Sequence, residues 1–347
     1  ILAKIKGIEL LFSADYPSIF LFQLIRNKKV NVHFLKEDSK EIKVIEVLDK
    51  KNIISPLLIE LLRKYIGENK KILILWNKKG WGVYLKCSVC GYTLRCKRCF
   101  SFLKMLESQE GICPYCQKKY NIPKICEECK SGYIKSIGIG TEKLESIIRR
   151  IFPEINIGNW ENKSVAQVVI STSKVLSYLY EDQIFDVGFV LDIDKFFSSI
   201  DYNANFEAFL YLKKISFLFK ETVYVFTRNI NHYIFENLNK DWNLFYEKEI
   251  YFRNKLSLPP FGFVAKITLR AKNKDNLFKK SLILYNKLKK ERLNIYGPIE
   301  DYPFKLRDKF RYVIVVKSKK RTFLIDTIKR EINKLKSSSL KIAVKLE

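Results

Sequence analysis

The sequence predicts an α/β protein in which a cysteine-rich module interrupts a parallel-sheet domain and a smaller α+β domain follows. Three observations carry this prediction. All eight cysteines fall between Cys87 and Cys129. Helices and short apolar strands alternate on both sides of that stretch, which is typical of a parallel sheet. Residues 261–347 have the pattern strand, helix, strand, strand, helix, strand, which is the order of a ferredoxin-like domain.

The parallel-sheet domain is predicted from apolar runs of strand length and from helical periodicity. The clearest strand is the short apolar run at 71–76, bounded by charge as a buried parallel strand is. The clearest helix is 55–67, with its leucines on one face. The full set of predicted elements is strand 9–12, turn 15–18, a helix, strands up to 44–48, helix 55–67, strand 71–76, helix 141–151, strands 168–171 and 187–191, helix 205–219, strand 222–227 and a long helical region 231–256.

The remaining elements lie beyond Pro259 and Pro260, which end the helical region. They are strand 263–270, helix 274–290, strands 294–300 and 310–317, helix 320–336 and strand 340–346. Because the cysteines fall after one apolar strand and before helix 141–151, we interpret the cysteine stretch as an insertion within a single α/β domain.

The cysteines form four C-x-x-C pairs: Cys87/Cys90, Cys96/Cys99, Cys113/Cys116 and Cys126/Cys129. Two such pairs complete a tetrahedral zinc site with four thiolate ligands, so the eight thiols predict two structural Zn²⁺ ions. The stretch contains no histidine, which favours closed, all-sulfur sites without a catalytic position. The alternative is a set of free or disulfide-bonded cysteines, but C-x-x-C pairs at these spacings in an intracellular protein favour metal.

The chain of 347 residues has a formal charge of +27. Two all-thiolate zinc sites would add about −4 and leave it strongly basic, which favours a polyanionic partner such as DNA. The alternative is a solvated lysine surface, because the lysines are spread along the chain. We find no signal peptide and no apolar run of the roughly 18 residues that a membrane span needs. Cysteine usage indicates the cytoplasm, and the start at Ile1 indicates a piece of a longer protein.

Further motifs recur at fixed positions around the cysteines. They are 77–82 after the buried strand, Gly138-Ile139-Gly140-Thr141-Glu142 after the last pair, then 191–194, 258–261, Gly297-Pro298 and 305–312. In order and spacing this set resembles the carboxy-terminal half of the primosomal protein N′ (PriA) family, the bacterial replication-restart helicases.

The resemblance implies an architecture and a pairing of the cysteines. Residues 1–50 would be the tail of the first helicase lobe, and 51–86 with 133–228 a RecA-like second lobe. Residues 87–132 would be the zinc-binding insertion, 229–256 a helical linker and 257–347 the DNA-binding domain. The family's zinc pairs are nested. Carried over, Cys87, Cys90, Cys126 and Cys129 would hold one ion, and Cys96, Cys99, Cys113 and Cys116 the other.

The chain departs from the family where ATP chemistry is concerned. It has neither a G-x-x-x-x-G-K-[ST] motif nor an Asp-Glu dipeptide, and no arginine lies between Arg150 and Arg228, where the family has Gly-Arg-Ala-Gly-Arg. Arginines of that kind stabilise the transferring phosphate. The stretch 171–178 replaces a Gly-Thr-x-x-x-x-Lys-Gly element, and Asp15 replaces a threonine. ATP and Mg²⁺ are therefore implied only by family analogy, and we predict no catalytic residue.

Single residues give weaker signals. For DNA contact the sequence favours a basic run between two strands, at Lys305, Arg307, Lys309 and Arg311; the alternative is a solvated loop. Lys213 and Lys214 stand near the lost arginines and are interpreted as solvated helix residues, because lysine lacks the planar guanidinium fork. Asp192 and Asp194 end a buried strand at the family's lobe cleft, without arginine partners. His33 and His232 receive no role.

Three functions fit the sequence. The first is a PriA-like replication-restart protein that binds zinc and forked or single-stranded DNA, with degraded helicase activity and contacts to other primosome proteins. The second is an active ATP-dependent 3′–5′ helicase whose first lobe lies upstream of Ile1. The third is a non-replicative zinc-ribbon module for nucleic acid. Residues upstream would discriminate the first two, because an active motor needs an intact phosphate-binding lysine there.

Overall fold

A computed structural model describes residues 13–33, 40–48, 54–77, 84–160, 166–173, 175, 185–198, 201–291, 293–335 and 339–346. The strand predicted at 9–12 lies outside these residues, as does most of the 77–82 motif. Within them, every helix is too short or too polar to cross a bilayer.

The first domain is built on a six-stranded sheet in which every neighbouring pair is parallel. Its strands are β1 (Ile42–Glu46), β2 (Ile72–Leu75), β8 (Ile157–Asn159), β9 (Val168–Ser171), β10 (Val187–Val190) and β11 (Val223–Thr227), in the spatial order β1-β11-β10-β2-β9-β8. The four residues of β2 are all buried, because the sheet is covered on both faces. The parallel sheet predicted from helix–strand alternation is confirmed.

Two apolar cores cover the two faces of this sheet. Leu73, Leu75 and Val169 point into one core, and the alternating Ile72 and Ile74 point into the other, as the two-residue period of a strand requires. The first core is formed with helices α1 (Ile19–Arg26), α5 (Ala204–Ser216), α6 (Tyr233–Glu236) and α7 (Trp242–Lys255), and the second with α2 (Pro56–Gly67) and α3 (Thr141–Ile151). A short helix α4 (Asp194–Phe197) follows β10.

Strand β1 belongs to the same sheet as the strands of 72–227, although the family resemblance assigns 1–50 to a different lobe. Its residues Ile42–Glu46 pair in parallel with β11. Its outer edge is covered by Asn239, whose side chain accepts from the Ile42 N–H at 2.9 Å and donates to the Ile42 carbonyl at 2.8 Å. The division predicted at residue 50 therefore passes between strands of one sheet.

The helical region predicted over 231–256 is two helices. Helix α6 ends at Glu236, and α7 begins after Asp241, whose side chain caps it by accepting from the Asn243 N–H at 3.0 Å. An aspartate at the N-cap satisfies an N–H group that a helix start leaves without a partner. The helical character predicted for 231–256 is confirmed, and the break at the capping residue Asp241 was not predicted.

The cysteine module lies between β2 and α3, as predicted. Strands β3 (Tyr84–Cys87) and β7 (Ile134–Ile137) pair antiparallel at its base, and β4 (Lys104–Met105), β5 (Gly111–Ile112) and β6 (Lys119–Tyr120) form a small sheet above them. Leu85 and Leu103 share a small core with Cys96, Cys99 and Cys113. The module's apolar core is small, so metal would have to supply part of its stability.

The C-terminal domain has the predicted order of strands and helices. Its elements are β12 (Phe263–Ala271), α8 (Lys274–Lys290), β13 (Asn294–Leu306), β14 (Lys309–Ser318), α9 (Arg321–Asn333) and β15 (Lys341–Leu346). The strands form an antiparallel sheet in the order β13-β14-β12-β15. Helices α8 and α9 pack on one face of this sheet, with Leu277, Leu284 and Leu324 against Ile267 and Ile314.

Candidate metal centres and nucleic-acid interface

The outer cysteine group consists of Cys87, Cys90, Cys126 and Cys129, whose sulfur atoms all lie within 4.8 Å of one another. Cys87 ends β3, and its Sγ lies 3.6 Å from that of Cys129. The Sγ atoms of Cys90 and Cys126 lie 3.8 Å apart. Four sulfurs around one zinc at 2.3 Å are separated by about 3.8 Å. The group therefore has the dimensions of a tetrahedral all-sulfur site.

Backbone geometry fixes the outer group. The Val89 N–H donates to Cys87 Sγ at 3.3 Å, and the Tyr92 N–H donates to Cys90 Sγ at 3.4 Å. Gly132 lies against the same sulfur, because a Cβ added there would lie 2.4 Å from Cys87 Sγ. Glycine is thus required at this position, and a side chain would displace the Cys87 sulfur.

The inner group consists of Cys96, Cys99, Cys113 and Cys116, again with all sulfurs within 4.8 Å. Sγ–Sγ distances are 3.3 Å for Cys99–Cys113, 3.4 Å for Cys96–Cys99 and 3.6 Å for Cys96–Cys116. These separations are far longer than the roughly 2.05 Å of a disulfide bond, and all eight cysteines are free. The two groups are the nested sets that the family resemblance implies.

Hydrogen bonds lower the pKa of Cys129 in the outer group, of Cys87 in the same group against the effect of burial, and of Cys96 in the inner group. In the outer group the hydroxyl and N–H of Ser131, with the Gly132 N–H, lower the pKa of Cys129 to about 5. In the inner group burial opposes ionisation of Cys96, but the Tyr120 hydroxyl, 3.0 Å from its Sγ, and two backbone N–H groups lower its pKa to about 6. A thiolate is the form that binds metal, and the sulfur separations of both groups fit a zinc ion. Sequence reasoning missed Tyr120.

The inner group contacts the C-terminal domain. Phe100, in a left-handed conformation at φ +59°, packs edge-on against Phe310 at 5.2 Å between ring centroids. The Lys305 N–H donates to the carbonyl of Cys99 at 3.1 Å. Beside this contact lies a cavity of about 160 Å³ lined by residues of both domains, including Arg95 and Tyr302. The loop that follows Cys99 is therefore also a surface that contacts the C-terminal domain, which the sequence did not predict.

The basic residues predicted to contact DNA surround the β13–β14 hairpin. Arg307 and Asp308 form its tip, both at positive φ, as a two-residue I′ turn requires. Arg307 is exposed. Arg311 pairs with Asp301. Lys305 lies 3.8 Å from Asp308 and over the Phe310 ring, with its side chain 21% exposed. Arg307 is thus more available to a ligand than Lys305 and Arg311.

The acids at the end of β10 have structural partners. Asp192 is buried, accepts from the Asn77 N–H at 3.0 Å and lies 3.7 Å from Lys195. Asp194 begins α4 and accepts from the Arg228 side chain at 2.9 Å, so the expectation that it has no arginine partner is wrong. These contacts join the carboxyl ends of β2, β10 and β11.

The interpretation of Lys213 as a solvated residue is wrong. Its side chain is buried at 2% exposure, and Nζ donates to the carbonyl of Leu238 at 3.3 Å. It faces the core between α5 and the loop before α7, so it does not replace a family arginine at an open cleft. His232 caps α6 and stacks on Phe197 at 4.3 Å, and burial lowers its pKa. Both positions serve packing.

The fold defines a class: a parallel α/β domain with two four-cysteine groups inserted, followed by a βαββαβ domain. Residues 254–346 match the family model of the primosomal protein N C-terminal domain. The replication restart protein PriA of Borreliella burgdorferi is 25% identical over 354 residues, covering 93% of this chain and 53% of the relative. That of Thermotoga maritima is 22% identical over 343 residues, covering 91% and 46%.

The resemblance to PriA that the sequence indicates is confirmed by these comparisons. The relative from Bacillus subtilis is 23% identical over 307 residues, covering 81% of this chain and 38% of its own length. The chain spans about half the length of the curated relatives it matches. Among solved structures, the de novo designed protein Foldit4 aligns with 25% of this chain and 96% of its own at 14% identity and a TM-score of 0.21, from which nothing follows.

Proposed function

We propose that this chain acts in DNA replication restart as a zinc- and DNA-binding protein whose ATP-driven motor is degraded. The similarity to PriA supports it most, because it extends over more than nine tenths of the chain in two relatives. In this proposal residues 51–86 and 133–228 form a RecA-like second lobe, the cysteine groups each hold one Zn²⁺, and the ferredoxin-like C-terminal domain binds DNA. Forked or single-stranded DNA and other primosome proteins are the proposed partners.

In this proposal zinc acts as a structural ion. Four thiolates fill a tetrahedral site and leave no open position for a substrate or water. The inner site would hold the loop that carries Phe100, and thereby hold the module against the C-terminal domain. Zinc would thus fix the geometry of the proposed DNA-binding domain relative to the α/β domain.

We expect this chain to hydrolyse ATP no faster than background, with or without DNA. The phosphate-binding motif is absent from the sequence, and no arginine lies between Arg150 and Arg228 to stabilise transferred charge. Lys213, one of two lysines in the stretch that corresponds to the family's arginine motif, is buried. Phosphate release should be measured with forked DNA present and with a P-loop ATPase as positive control. DNA-stimulated turnover near about 1 s⁻¹ would instead favour an active helicase.

DNA binding is expected to rest on phosphate contacts without strong sequence preference. Affinity for forked and linear DNA should fall as salt rises, with a log–log slope of roughly −0.9 per phosphate contact on duplex and about −0.7 on single strands. Replacing Lys305, Arg307, Lys309 and Arg311 together by alanine should flatten the slope and weaken both substrates. Fluorescence anisotropy across a salt series measures this.

Two results would count against this assignment. A slope that stays unchanged in the quadruple variant would make the hairpin a solvated loop and place the contact elsewhere. A wild-type chain that binds no DNA even at low salt would remove the proposed function itself. Since Arg311 pairs with Asp301, the variant's folding should be checked by circular dichroism before its affinity is interpreted.

A further inference from the structure

The sheet of the C-terminal domain has one covered face and one open face. Side chains alternate along a strand, and Ile267 and Leu269 of β12 point into the core beneath α8 and α9. Lys266 and Arg270 therefore lie on the opposite face. Part of that face is covered, because Val313 on it is buried and Lys317 Nζ donates to the carbonyl of Leu256 at the end of α7. Lys341 and Lys345 of β15 are exposed, so the face is accessible to a ligand at its β15 edge.

Cations lie directly opposite one another across the strands of this open face. Arg270 is in register with Lys341 of β15 on one side and with Arg311 of β14 on the other. Lys266 is likewise in register with Lys345. Like charges directly opposite in an antiparallel pair destabilise a sheet. The fold thus keeps an arrangement that lowers its own stability.

Acidic residues compensate only part of this charge. Asp301 pairs with Arg311 and lies 3.7 Å from Lys266. Arg270, Lys272, Lys309 and Lys341 form a group that we call the sheet-end cluster. Within the described ranges, no carboxylate lies within ion-pair distance of these four residues. The Nε atom of Arg270 is buried without a hydrogen-bond partner. Burial and the neighbouring Lys341, Lys272 and Arg270 lower the pKa of Lys309, which agrees with four cations meeting at one place.

We propose that the sheet-end cluster is the primary phosphate-backbone contact of this domain, so that a nucleic-acid strand lies along the open face of the sheet and not only on the β13–β14 hairpin. The inference rests on the proposed DNA-binding function. Four uncompensated cations at the ends of three neighbouring strands suit successive phosphates of a polynucleotide better than one small anion. Phosphate charge would also relieve the cross-strand repulsion, so binding should stabilise the domain.

The test compares two double variants of the full chain that change the net charge equally. Lys272→Ala/Lys341→Ala removes two cluster cations that the β13–β14 hairpin does not contain. Lys279→Ala/Lys329→Ala removes two exposed lysines on α8 and α9, which cover the other face of the sheet. Anisotropy with a 30-nucleotide single strand and with the matching duplex, over a salt series, gives the slope for each.

The cluster variant is expected to reduce the slope by about 1.8 on duplex and about 1.4 on single strands, which is two phosphate contacts. The helix variant should change the slope by less than half as much. The cluster variant's thermal midpoint should equal or exceed that of the wild type, because one member of the Arg270–Lys341 like-charge pair is gone.

Three outcomes are distinguishable. If the wild type binds DNA and the two variants show the same salt-dependence slope, the sheet-end site is overturned, while the proposed DNA-binding function stands. Wild-type binding with a cluster variant that melts well below the wild type would show that the lysines serve the fold, and would also overturn it. Absence of wild-type binding at low salt would overturn the proposed function, on which the site depends.

Discussion

Purified protein is expected to contain two zinc ions per chain, and Cys96→Ser is expected to contain one. Each cysteine group presents four sulfurs within 4.8 Å of one another, and a structural zinc site in a small peptide is worth about 10–16 kcal/mol of folding free energy at neutral pH. Because the two groups share no ligand, losing the inner ion should leave the outer one bound. Elemental analysis by inductively coupled plasma mass spectrometry gives the count.

The segment between the two cysteine pairs of the inner group should also lose its structure in Cys96→Ser. Phe100 would then no longer be held against Phe310, and limited proteolysis should cut between the pairs of this group before the α/β domain is attacked. Cys129→Ser is the matched control, because it should release the outer ion and leave the Phe100 contact protected. One zinc or none in wild-type protein kept reduced would contradict the two-site assignment, as would two zincs in Cys96→Ser.

Arg253→Met is expected to destabilise the α/β domain by about 3–5 kcal/mol, the cost of breaking a buried ion pair from one side. Arg253 and Glu249 lie on α7 with side chains 4% exposed and an N–O distance of 2.7 Å. Arg253 also donates to Asn203 at 2.8 Å and to the carbonyl of Pro259 at 3.1 Å. The substitution would leave a buried carboxylate uncompensated and free the segment that leads to the C-terminal domain.

Arg26→Met is the matched control. Arg26 of α1 pairs at 3.3 Å with Glu247 of α7, the helix that carries Arg253, but the two side chains are 51% and 46% exposed. Exposed pairs contribute about 0–1 kcal/mol. Urea unfolding followed by tryptophan fluorescence reports on the α/β domain, whose cores contain Trp76, Trp160 and Trp242. Midpoints that shift equally in the two variants would mean that burial of the Arg253 pair contributes nothing to stability.

Regular elements were predicted where a local pattern suffices. Strand β9 and helix α8 match their predicted ranges, because four buried apolar residues in a row and a helical period are both visible in the sequence. Strand β13 runs six residues beyond its predicted end, to Leu306. Its pairing with β14 shifts register after Tyr296 and after Glu300, so the alternation that marks a strand is lost although the pairing continues.

The sequence by itself determined which residues can hold metal, because two thiols spaced by two residues meet in one tight turn. It also determined the α/β character of the first domain and the order of the second. Only the tertiary structure decided that Lys213 is buried, that Phe100 contacts the C-terminal domain and that Arg270, Lys309 and Lys341 meet. Burial and charge clustering depend on which strands lie side by side, and these residues are separated by dozens of positions along the chain.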